Sequence, residues 1–141
     1  MMVAGRARTL PAVIVSTTPI ELPGLRVIVE RVVHSTTLPA PPDKPHSFVY
    51  FITIHNESDR TVTIKGRKWV VSNGNGEVDV VEGDGVVGEF PRLAPGEHFR
   101  YNSRHITDDQ GASATGAYLG VDDDGQRVVV RIPAFQMTVP E

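Results

Sequence analysis

Residues 83–96 read GDGVVGEFPRLAPG. Gly83, Gly85 and Gly88 carry the Gly-x-Gly-x-x-Gly spacing of dinucleotide-binding folds, where glycines allow a tight turn and a close approach of backbone to phosphate. That function needs a helix starting at the third glycine, so that its N-terminal amides and dipole meet a pyrophosphate. Pro91, Pro95 and Gly96 follow within eight residues of Gly88 and forbid such a helix. No Gly-Lys-Ser/Thr completes a Walker A pattern and no βαβ unit surrounds the motif. What remains is a glycine-rich loop crossing the end of a β-structure, whose amides could form a small nest for an anion.

The flanks are strand sequences. Upstream, TVTIKGRKWVVSN (61–73) alternates, with Gly66 marking a bulge. It places Arg67 and Trp69 on one face, where guanidinium and indole could stack; Trp69, the single tryptophan, is expected to anchor the core. NGNG at 73–76 is a hairpin signal and makes EVDVVEG the returning strand. Further out, SFVYFITIHN (47–56) sets Phe48, Tyr50, Ile52 and Ile54 against Val49, Phe51, Thr53 and His55, the pattern of a central strand.

RVIVERVVH (26–34) alternates with Val27, Val29 and Val33 on one face and Glu30 and His34 on the other. LPAPPDKP (38–45) is a stiff loop and Asn56 to Arg60 a polar turn. Beyond the glycine loop, Phe99, Tyr101 and Ser103 share a strand face. SRHITDDQGASATG (103–116) is expected to be a polar loop, GAYLGVD a short strand and DDDG a tight turn. In QRVVVRI, Val128, Val130 and Ile132 oppose Arg127, Val129 and Arg131 before Pro133 interrupts the run. No segment of ten or more residues has helical period. Seven to nine short strands therefore predict an all-β fold, a single antiparallel β-sandwich of the immunoglobulin or fibronectin type III kind over residues 24–141. Residues 1–23, with three prolines and no clean periodicity, are expected to be a loose N-terminal extension.

At 141 residues the chain suffices for one core and not for two. A formal net charge of −3, with no run of Lys and Arg, argues against nucleic acid as a partner. The absence of cysteine excludes disulfides, thiolate metal sites and thiol nucleophiles. Arg6 and Arg8 before LPAVIV resemble the start of a secretory signal, but the apolar run is short, contains Pro11 and gives way to polar residues. No stretch approaches the ~20 apolar residues that span a bilayer, so a cytoplasmic protein is expected.

The remaining chemistry is sparse. His34, His46, His55, His98 and His105 lack metal-ligand spacing, and His98 and His105 fall on opposite faces if one strand joins them. Asp122, Asp123 and Asp124 stand before Gly125 as turn residues, since Pro133 occupies the position where a calcium loop needs its last carboxylate. Ser103, His105 and Asp108 are near in sequence without a nucleophile elbow. No catalytic residue, metal site or cofactor is assigned.

GRKWVVSNGNGEVDVVEGDGVVGEFPRLAPGEHFRYNS together with GAYLGVDDDGQRVVVRIPAFQM resembles the ApaG (CorD) domain family over roughly residues 25 to 140. The positions that carry the likeness are Gly66, Arg67, Trp69, Gly83, Gly85, Val86, Val87, Gly88, Pro91, Leu93, Pro95, Gly96, Tyr101 and Ser103. Ala117 stands where similar chains have a His. The resemblance implies a fibronectin-III-like sandwich, a link to cobalt and magnesium efflux or tolerance, and a non-enzymatic module that binds a protein. Its contact surface is expected on the 83–96 loop and the strand of Arg67 and Trp69. The alternative is a phosphate or pyrophosphate held at Gly83 to Gly88, with Arg67 or Arg92 as counter-charge. Edge strands leave a homodimer open.

Overall fold

The computed structural model describes residues 18–141, and every regular element among them is a strand. These are β1 (Ile20–Glu21), β2 (Leu25–Ser35), β3 (His46–Asn56), β4 (Val62–Asn73), β5 (Val78–Asp84), β6 (Arg92–Leu93), β7 (His98–Thr107), β8 (Ala112–Asp122) and β9 (Arg127–Met137). The larger sheet runs β1-β9-β8-β4-β5, with β6 also on β4, and the smaller runs β2-β3-β7. All pairs are antiparallel except β1 with β9. The two sheets pack face to face as the sandwich that the alternation predicts.

β3 is the middle strand of its sheet, and its inner residues Phe48, Tyr50, Ile52 and Ile54 are buried. They meet Val62, Ile64, Trp69 and Val71 of β4, Ala114 and Tyr118 of β8, and Val128, Val130 and Ile132 of β9 in one core. Each such aliphatic or aromatic side chain contributes about 1.5–3 kcal/mol on burial. The 73–77 hairpin closes with the Asn73 and Gly76 amides donating to Glu77 and Asn73 carbonyls, at 2.8 and 2.9 Å. The bulge expected at Gly66 falls beside it, as the β4 register against β8 slips between Ile64 and Gly66.

Three expectations are corrected. In β2 the pairing jumps from Val29–Ile52 to Arg31–Phe51. This bulge reverses the faces, so that Val33 is exposed and His34 turns in against Phe48, ring centroids 5.1 Å apart. Residues 103–116 are mostly strand rather than loop: β7 runs to Thr107, β8 begins at Ala112, and Gly111 donates to the Asp108 carbonyl in the turn between them. The small and polar residues of β8 suit this, because its backbone bonds β4 on one side and β9 on the other. Pro133 does not end its strand either. It sits where the β9 register slips between Ile132 and Phe135, a position at which no ladder N–H is demanded.

Of the segment expected to be a loose extension, residues 1–17 lie outside the described residues. Its end is already part of the sandwich: Ile20 and Glu21 pair with Val128 and Val129, and Leu22 is buried.

Candidate functional site

The glycine loop is built as a β-turn on a cationic brace. Arg67 of β4 pairs with Gly83 of β5, and its guanidinium lies where a Gly83 side chain would be, since a Cβ there would stand 2.7 Å from Nη2. Nη1 donates to the carbonyls of Asp84, at 2.7 Å, and Gly85, at 3.1 Å. The Gly85 amide donates to the Lys65 carbonyl, and Gly85 has φ +64° with room for no side chain, a Cβ falling 2.4 Å from the Glu89 carbonyl oxygen. Val86 is fully buried and holds the loop on the core.

Val86 and Glu89 then exchange both backbone bonds, at 2.8 and 2.9 Å, around Val87 and Gly88. Both central residues have positive φ, +43° and +81°, the requirement of a type I′ turn. For Gly88 this is free. For Val87, a β-branched residue, it is strained, and its side chain is half exposed, as is that of nearby Phe90. The Lys65 ammonium lies 5.9 Å from the Phe90 ring centre.

Of the residues singled out in the sequence, Arg67, Gly83, Gly85, Val86, Val87 and Gly88 therefore come together, while Trp69 and Arg92 go elsewhere. Trp69 is 3% exposed and packs on Tyr50, centroids 5.0 Å apart. It shares the inner face of β4 with Arg67, yet the guanidinium is turned to the loop carbonyls, because they offer stronger, charge-assisted bonds. Arg92 bonds Asp123 at 2.8 Å, and Asp122 accepts the Asp124 and Gln126 amides, so the Asp-rich stretch is the turn it was expected to be. The amides of Gly85, Val86 and Glu89 are all donated to backbone carbonyls.

The sequence did not reveal an aromatic cluster inside the open side of the sandwich. His105 stacks on Tyr50 and meets the edge of Trp69, with centroids 4.9 and 5.0 Å away, and Phe135 closes the group. Its Nε2 is buried without a hydrogen-bond partner, and burial lowers its pKa to about 4. Alongside, Tyr101 and Tyr118 join their hydroxyls in a buried hydrogen bond. Burial raises both phenols above their ordinary value. The signal was present in the alternation of Phe99, Tyr101, Ser103 and His105, which a loop assignment at Ser103 cut short. His98 and His105 do lie on opposite faces of one strand, the latter inward. Ala117 pairs with Lys68 and Arg131 and faces away from this cluster, next to the inward Tyr118.

The ApaG domain model matches residues 37–122. The Protein ApaG of Enterobacter sp. (strain 638) is 41% identical over 100 residues, spanning 71% of this chain and 80% of that protein. That of Salmonella arizonae is 37% identical over 101 residues, spanning 72% and 81%. A Bordetella pertussis crystal structure described as the ApaA protein superimposes with a TM-score of 0.76 at 29% identity, covering 87% of this chain and 99% of that one. With the sandwich, the Arg67 brace and the glycine turn in place, the chain belongs to the ApaG domain family.

Proposed function

We propose that this chain is a non-enzymatic binding module that holds a protein partner on the surface around the Val86–Glu89 turn, Phe90 and the adjoining end of β5. The observation that carries this reading is Val87, a half-exposed β-branched residue kept at φ +43°. Strain of this kind persists where surrounding structure imposes it, and it concentrates at contact sites. Arg67 and the glycines serve as the scaffold behind that surface, and Trp69 as the core beneath it. The family's link to cobalt and magnesium homeostasis enters, on this reading, through the partner in the cytoplasm.

Pull-down with wild type against Val87→Asp tests the surface, with circular dichroism showing both folded. The expected result is loss of the captured protein from the variant. Equal retention would remove this loop as the contact face.

The phosphate alternative draws support from the positive φ of Gly85, Val87 and Gly88 in one glycine-rich loop. At Gly85, Val86 and Glu89 a phosphate would compete with the backbone carbonyls those amides already bond, and Arg67 and Arg92 are each engaged by a partner of their own. Amide NMR during pyrophosphate addition separates the two readings: a flat response at Gly83 to Gly88 leaves the protein-binding reading alone, and saturable movement there would replace it.

A further inference from the structure

The strongest unexplained feature lies next to that turn, in β5. Val78, Val80 and Val81 are 58%, 56% and 47% exposed, a run of β-branched side chains in solvent on both faces of one strand. β5 ends its sheet, and beyond β4 it pairs with no other strand among the described residues. Asn73 donates to the Glu77 carbonyl, and Gly85 donates to that of Lys65, which fixes the odd-numbered residues of β5 as those bonded to β4. Antiparallel alternation then turns the N–H and C=O groups of Val78, Val80, Glu82 and Asp84 outward to the open edge.

Edges are ordinarily blunted by cations, proline or bulges. β7, the edge of the smaller sheet on the same side, carries Arg100 and Arg104. β5 carries no cation. With its flank it carries four acids, of which Asp79 meets Lys44 at 3.6 Å and Glu82 meets Lys68 at 3.9 Å. Glu77 and Asp84 have no ion-pair partner among the described residues. Between the two edges is a cleft where Val71, Val81 and Ile106 lie beside the charged Lys44, Asp79 and Arg104.

We propose that the open edge of β5 receives an extended segment of the protein partner as an added antiparallel strand. The segment carries Lys or Arg against Glu82 and Asp84 on one face, and apolar side chains over Val81 and the cleft on the other. The proposal rests on the module reading and names the chemistry of its partner. Charge selects this occupant over a second copy of the chain, since two β5 strands laid edge to edge would bring both sets of acids together.

The test uses the full chain and two capped synthetic heptapeptides, one alternating lysine with valine and the other glutamate with valine, followed by amide NMR and hydrogen exchange. The lysine peptide is expected to shift the Val78, Val80, Glu82 and Asp84 amides saturably and slow their exchange at least tenfold. Val80→Pro, whose lost N–H points away from β4, should abolish this while leaving the rest of the spectrum in place. A flat response, or equal effects from both peptides, overturns the proposal. So does self-association in analytical ultracentrifugation that Val80→Pro removes, which assigns the edge to a second copy. Slow exchange of those amides in the free, monomeric chain also overturns it, since the chain's own residues would then cover the edge. The module reading fails separately: a partner lost from Val87→Asp but kept by Val80→Pro leaves that reading standing and removes only strand addition.

Discussion

The imidazole of His105 lies on the ring of Tyr50, centroids 4.9 Å apart and planes inclined by 24°, and its Nε2 has no partner. A protonated ring would be a buried charge in an aromatic box. Its folded pKa, about 4, lies below the ordinary value near 6.5, so the unfolded chain takes up the proton first as pH falls. The stability held by the neutral ring is therefore complete above about pH 6.5 and is lost between there and pH 4, amounting to about 2 kcal/mol by pH 5. His105→Phe keeps the stack and removes the titration. Urea unfolding of both proteins from pH 8 to 4.5 should show the variant gaining on the wild type by that amount toward acid. A gap that stays constant with pH would contradict it.

Arg67 and Gly83 form one unit, the guanidinium occupying the place of the missing side chain. Arg67→Met should cost about 1–3 kcal/mol, because two loop carbonyls lose a charged donor. Gly83→Ala should cost less in that background than in the wild type, since the group it collides with is gone. A double-mutant cycle checks this, and additive losses would mean that the brace is not a unit.

Two neighbouring positions in the loop should respond in opposite directions. Val87→Gly relieves a β-branched residue at positive φ and should stabilise by about 1 kcal/mol. Gly85→Ala places a Cβ against the Glu89 carbonyl and should destabilise by about 2 kcal/mol or more. Thermal denaturation of the two variants reads the sign directly, and a shared sign would refute the described turn.

The Tyr101–Tyr118 hydroxyl pair carries the fourth prediction. Tyr118→Phe strands the Tyr101 hydroxyl in the core and should cost about 1–3 kcal/mol, whereas replacing both by Phe should recover most of the loss. If the double variant is no better than the single, the bond has been misassigned.

The sandwich was legible because its strands announce themselves: Phe48 to Ile54 and Val128 to Ile132 alternate cleanly, and glycine or proline stands at the joints. The errors arose where pairing overrides local pattern. The bulge after Val29 cannot be seen until β3 is laid alongside, yet it decides that His34 points in and Val33 out. The start of β8, Ala112 to Gly116, reads as loop because alanine, serine, threonine and glycine need no apolar character when strands flank them on both sides. At the site, glycine spacing located the turn, and the loop carbonyls claimed the arginine that could have met Trp69 or a phosphate. The His105 cluster gathers side chains from β3, β4, β7 and β9, a convergence that no local window contains.

The two ends of the larger sheet are unequal. At one end stands β1, two residues long, after which Leu22 enters the core; at the other stands β5, with seven residues and an open ladder. A strand arriving at β1 finds almost nothing to register against, whereas one arriving at β5 finds a full template. Among the described residues, the two-residue β1 and the seven-residue β5 thus make the ends of the larger sheet unequal as templates, and the longer ladder lies at β5.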